Sequence, residues 1–114
     1  MLPKENRLQK SKDFDLVYKK GRFFNTKFFG LKYAENGLSQ SRIGFVVSTK
    51  VHKKATKRNL LKRRMRESVR LNLNKIKPGY DIVITARTGA WALEYGEIEG
   101  EILFMLKKTG IISK

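Results

Sequence analysis

The chain has 114 residues, in which 26 Lys and Arg stand against 10 Asp and Glu, giving a formal charge of +16 and a pI near 10.4. That length suits one compact domain with a modest core, and 40% hydrophobic residues exclude wholesale disorder. Charge of one sign at this density repels itself, so a polyanionic partner is expected, nucleic acid ahead of an anionic membrane.

With no cysteine, a disulfide framework is excluded and a reducing cytosol fits. Residues 1–10 lack the apolar run of a signal peptide, and no stretch approaches transmembrane length. The chain therefore reads as soluble and cytoplasmic, without a membrane partner. The lone His52 and scattered carboxylates have no metal-ligand spacing, and no Gly-rich phosphate loop occurs. We assign neither a catalytic residue nor a protein metal site from the sequence.

No repeat or linker divides residues 1–114, which read as a single nucleic-acid-binding domain whose residues 1–10 form a basic, mobile arm. Ser11 is placed to cap a helix from about Lys12 to Lys19, with Phe14, Val17 and Tyr18 on one face and Gly21 at its end. Arg22 to Tyr33 is aromatic-rich and strand-like, interrupted near Asn25. Asn36-Gly37 predicts a turn, after which Arg42 to Thr49 forms a second strand paired with the first as an antiparallel hairpin.

A basic helix follows from about Ala55 to Asn74, stopped by Pro78-Gly79. Tyr80 to Ala86 is an apolar run suited to a central strand. The last helix, Tyr95 to Lys108, carries Ile98, Ile102, Met105 and Leu106 on one face, with Trp91 and Leu93 packed under its start. Phe23, Phe24, Phe28 and Phe104 are read as core or partly core, His52 as a solvated loop residue, and Glu67, Asp81 and Glu101 as capping or ion-pair groups. The result is an α+β two-layer αβ sandwich of order α-β-β(-β)-α-β-α. The general chirality rule makes the crossover through the basic helix right-handed.

The segment Lys50 to Arg70 holds ten Lys and Arg against the single acid Glu67. At about 100° per residue, Leu61, Met65, Val69 and Leu73 span one arc. Asn59, Lys62, Arg63, Arg66 and Arg70 form a stripe beside it. Lys53, Lys54, Lys57 and Arg58 cluster in the preceding loop and first turn, where free backbone N–H groups favour phosphate. A solvated helix face normally interleaves acids for i, i+4 pairing. This one does not, so binding is the better explanation of its charge.

The run from Ala55 to Arg66, with Arg58-Asn59 followed by Lys62-Arg63, resembles the signature helix of the bacterial ribonuclease P protein subunit. The likeness extends along the chain. Arg7-Leu8 before Asp13-Phe14, Arg42-Ile43-Gly44 leading into Val47-Ser48-Thr49-Lys50, and Tyr80 to Ile84 followed by Ala86-Arg87 are each similar to family segments in the same order. Two positions depart: Leu60 stands where a third basic residue is frequent, and His52 where Gly or an apolar residue is usual.

The resemblance implies an αβ sandwich also seen in a ribosomal protein domain, with a left-handed crossover, contrary to the general rule. It implies a protein that joins a catalytic RNA to remove the 5′ leader of precursor tRNA, with no further protein partner. Divalent metal, normally magnesium, would be held mainly by the RNA. Lys53, Lys54, Lys57, Arg58, Asn59, Lys62, Arg63, Arg66 and Arg70 would bind the catalytic RNA. A cleft with Phe14 and Tyr18 on its helix side, and Lys50, Phe29 and Leu31 on its sheet side, would hold the leader. The rival readings are a ribosomal or assembly protein on structured RNA, a groove-reading DNA binder, and a protein-only nuclease. The DNA binder lacks a paired helix-turn-helix pattern, and the nuclease lacks a carboxylate cluster.

Overall fold

Tyr80–Ala86 is apolar on both parities at its centre, Ile82 to Ile84, because it is a strand with two covered faces and two paired edges. The computed structural model describes residues 2–112. Its strands are β1 (Arg22–Asn25), β2 (Phe29–Glu35), β3 (Arg42–Val46) and β4 (Tyr80–Ala86), in the sheet order β1-β2-β4-β3. Its helices are α1 (Ser11–Lys20), α2 (Ala55–Leu71) and α3 (Tyr95–Lys108). β4 pairs antiparallel with β2 and parallel with β3, so β3, α2 and β4 form the crossover unit.

The expected hairpin between the first strand and Arg42 onward does not form, because β4 is inserted between β2 and β3. Asn36-Gly37 does turn the chain, with Gly37 at φ +71 and Asn36 Oδ1 accepting from Leu38 N at 2.8 Å. The turn is tied to the start of β4, however. Asn36 N donates to Gly79 O, and Asn36 Nδ2 to Asp81 Oδ1. The hairpin of this fold is β1–β2, broken where the sequence suggested, past Asn25.

Alternation along the strands sorts residues onto two faces. Phe29, Leu31, Ile82 and Ile84 meet Leu61, Met65 and Val69 of α2 and Ile98, Ile102 and Met105 of α3 in the main core. On the opposite face Val83, Val17 and Leu8 form a smaller cluster with Phe14 and Val46 under α1. α2 and α3 are joined by the buried Asn72, whose Nδ2 donates to Ser68 O at 2.7 Å and Glu99 Oε2 at 3.0 Å. α3 starts with a reciprocal Glu94–Glu97 capping box.

α1 begins at Ser11 as a helical residue, with Lys10 in the cap position and no side-chain cap bond. Gly21 ends it at φ −76, so left-handed geometry is not its reason. A Cβ there would lie 2.4 Å from Val17 O and 3.0 Å from Tyr33 O. Residues 2–10, expected as an arm, lie packed against the domain. Leu2 and Leu8 are buried, Leu8 N donates to Ile43 O at 3.1 Å, and Asn6 Nδ2 donates to Ser41 O at 2.8 Å. Two leucines in an otherwise polar segment are enough to seat it on the free edge of β3.

Gly44 sets how closely α1 approaches the sheet. A Cβ at this position would fall 2.4 Å from Phe14 Cζ and 2.7 Å from its Cε1. Gly44→Ala is expected to lower the urea unfolding free energy by about 1–3 kcal/mol through overpacking. An unchanged midpoint and slope would mean that the Phe14 ring can swing aside without loss.

Candidate RNA interface

The core residues of α2 occupy one arc, so its cations must emerge elsewhere. Leu61, Met65, Ser68 and Val69 face inward. Lys53, Lys54, Lys57, Asn59 and Arg63 are exposed, and none makes an ion pair among the described residues. The helix starts with no acidic residue in its first turn and no side-chain cap. Its cations and dipole therefore act together on any bound phosphate.

Several cations of the stripe and of the preceding turn are not simple solvent-facing charges. Arg58 turns back on the loop, its Nη1 donating to Lys53 O at 2.7 Å and His52 O at 3.0 Å. It thereby braces the segment that displays Lys53 and Lys54. Arg70 is paired with Glu67, Nη2 donating to Oε2 at 3.1 Å. The hydrogen bond from Arg70 holds the Glu67 carboxyl below its ordinary value and raises the Arg70 guanidinium. Lys62 and Arg66 lean toward β3, where with Arg7, Phe14, Gly44 and Phe45 they line a cavity of 520 Å³. Its lining residues include three cations and no acid.

On the α1 face, Tyr18 is 44% exposed and Lys32 Nζ lies 5.1 Å from its ring centroid. Burial, and then the charge of Asp15, raise the Tyr18 hydroxyl above its ordinary value. Tyr18, Asn25, Gly30, Lys32, Thr85 and Arg87 surround a hollow of 360 Å³. Phe14 sits at the other end of α1 against Gly44.

Two expected cleft residues are misplaced. Phe29 and Leu31 are 0% exposed and belong to the core beneath α2 and α3. Leu31 borders the hollow, but its side chain packs into the opposite face. Strand alternation allows only one parity to face α1, and the bulkier set fills the larger core. The residues that do face α1 from β2 are Gly30 and Lys32. Lys50 lies in an adjoining hollow of 310 Å³ with Lys27, Ser48 and Arg87, so Arg87 borders both.

Sequence reasoning missed Lys32 and Arg87, although the alternation of Phe29–Glu35 marks Lys32 as the outward parity. Phe23, expected to be core or partly core, is 67% exposed and stands opposite Lys32 across the β1–β2 pair. Phe104 is also half-exposed, against Phe24, while Leu60 is a surface residue flanking the stripe. Trp91 is 48% exposed and lies outside the main core cluster, against which Leu93 packs.

A four-stranded sheet carrying one acid-poor helix and a basic aromatic hollow defines a small αβ protein built to hold a polyanion. No group of three His, Cys, Asp or Glu able to hold a metal occurs among the described residues. No helix among them is long and apolar enough to cross a membrane.

Residues 2–110 match the family described as Ribonuclease P, and the chain belongs to that family. It is 44% identical over 108 residues to the ribonuclease P protein component of Alkaliphilus oremlandii, covering 95% of this chain and 94% of that one. Identity to the component of Clostridium botulinum strain Loch Maree is 41% over 109 residues, covering 95% and 97%. Among solved structures, the Staphylococcus aureus RNase P protein aligns at TM-score 0.87 and 28% identity, over 95% of this chain and 98% of that one. The Thermotoga maritima RNase P protein aligns at TM-score 0.82 and 35% identity, over 90% and 96%. Membership makes the chain a protein component of the RNase P endoribonuclease, which with its RNA subunit processes the tRNA 5′ leader.

Proposed function

We propose that the α2 stripe and its preceding loop clasp the catalytic RNA, while the hollow under α1 receives the single-stranded leader of precursor tRNA. The observation that carries this reading is a convergence: Lys62 and Arg66 of the stripe and Phe14 of α1 line one cavity. Two RNA strands held on these surfaces would meet there, with cations between their phosphates. Unpaired bases stack on aromatic rings with little demand for sequence, which suits Tyr18 to varied leaders.

No group of three His, Cys, Asp or Glu among the described residues could hold a metal ion, and the hydrolysis belongs to the RNA subunit. In this proposal magnesium stays with RNA phosphates, and the protein contributes binding and relief of phosphate repulsion. Arg58 serves mainly to shape the loop, and Arg70 reaches RNA only in competition with Glu67.

The test is cleavage of precursor tRNA at low magnesium by a matched catalytic RNA, with and without the full chain. Marked stimulation is expected, and its absence would remove the proposal. Tyr18→Ala should weaken precursor tRNA about tenfold at the holoenzyme, the value of one stacked base, and leave mature tRNA unchanged. Equal weakening of both would take Tyr18 out of the leader hollow.

A further inference from the structure

The chain has one tryptophan, and nothing in the proposed clasp or leader hollow uses it. Trp91 lies in the short turn Ala90–Ala92, which packs against α2 on the face of the sheet away from α1 and Tyr18. Half of its surface is open to solvent. Its neighbour Ala90 is fully buried, so the turn itself is anchored.

The indole is held by a second ring. His52 and Trp91 have centroids 4.9 Å apart and planes inclined at 83°, an edge-to-face pair. His52 is fixed in turn, its Nδ1 accepting from Lys54 N at 3.1 Å and its carbonyl from Arg58 Nη1 at 3.0 Å. The two near-perpendicular rings form a partly solvent-exposed corner. Lys53, Lys54 and Lys57 are exposed in the same loop and first turn. An aromatic plate beside unneutralised cations matches a nucleotide, whose base needs a π-face and whose phosphates need charge.

We infer that His52 and Trp91 form a second base-stacking site, taking an unpaired nucleobase of RNA on the α2 side of the sheet. The inference rests on RNA as the partner but not on the leader assignment, because this corner and the Tyr18 hollow lie on opposite faces. It also gives a role to His52.

Because Trp91 is the only indole, its emission reports this corner alone. The full chain at low salt would be titrated with single-stranded oligoadenylate, with a fully paired RNA duplex, with the catalytic RNA and with precursor tRNA. Quenching by oligoadenylate and by at least one of the two natural RNAs, and not by the duplex, is expected. Whichever natural RNA quenches is the source of the stacked base. Trp91→Ala should lower affinity for that RNA about tenfold while Trp91→Phe retains it, with thermal melting confirming that both variants fold. Equal quenching by duplex and single strand, no quenching, or unchanged affinity in Trp91→Ala would each overturn the inference. Stimulated cleavage with a silent Trp91 would sink this site and leave the family function standing, whereas no RNA binding at all would sink both.

Discussion

Asp81→Ala should cost about 3–5 kcal/mol of unfolding free energy, a large part of the 5–15 kcal/mol typical of a domain. Asp81 is buried and accepts a bidentate pair from Arg42, Nε to Oδ1 at 2.9 Å and Nη2 to Oδ2 at 2.7 Å. Arg42 also reaches Asp13 of α1 at 3.3 Å, and Asn36 Nδ2 donates to Asp81 Oδ1 at 2.9 Å. One carboxylate thus fastens β3, β4, the loop after β2 and, through Arg42, the first turn of α1. Its hydrogen bond is the largest cause of the raised Arg42 guanidinium. Removal leaves the half-buried Arg42 with only its longer contact to Asp13, leaves Asn36 Nδ2 with Gln40 O alone, and raises the charge of a chain already at +16. Urea titration followed by circular dichroism measures the loss. A drop below about 1 kcal/mol would mean that the pair behaves like an ordinary surface salt bridge.

Replacing Lys62 and Arg66 together by Ala should reduce affinity for the catalytic RNA about 10- to 100-fold at low salt and shrink the salt slope by about two. These two cations, unlike Arg58 and Arg70, are not engaged with the loop carbonyls or with Glu67, and they face the cavity where both surfaces meet. For every phosphate left without its cation, about one fewer counterion is released on binding, so the slope tests the pairing apart from the affinity. Arg58→Ala provides the contrast. It should blunt binding mainly by loosening residues 52–54, with a smaller change of slope. An unchanged slope in the double variant would place the RNA on another face of α2.

The charge pattern of α2 was legible because a helix has a fixed period, and Leu61, Met65 and Val69 mark its inner arc without reference to anything else. β4 was legible for a similar reason, since Ile82, Val83 and Ile84 put apolar side chains on both parities and so need cover on both faces. The aromatic strands were not. Phe23 reads as core by composition yet stands exposed, because β1 is an edge strand whose outward parity lies beyond the reach of α1. Arg58 resembles a free cation in sequence, and only the path of residues 52–54 supplies the carbonyls that capture it.

The amino-acid sequence by itself determined the family, the basic helix, the acid-poor stripe and the period of every major element, since each is a local property. The tertiary structure alone decided that β4 enters between β2 and β3, that residues 2–10 lie along β3, and that Lys32 and Arg87 rather than Phe29 and Leu31 face α1. It also brought His52 to Trp91. These are matters of pairing between residues distant in the chain, and alternation fixes which residues share a face without fixing which face meets which neighbour.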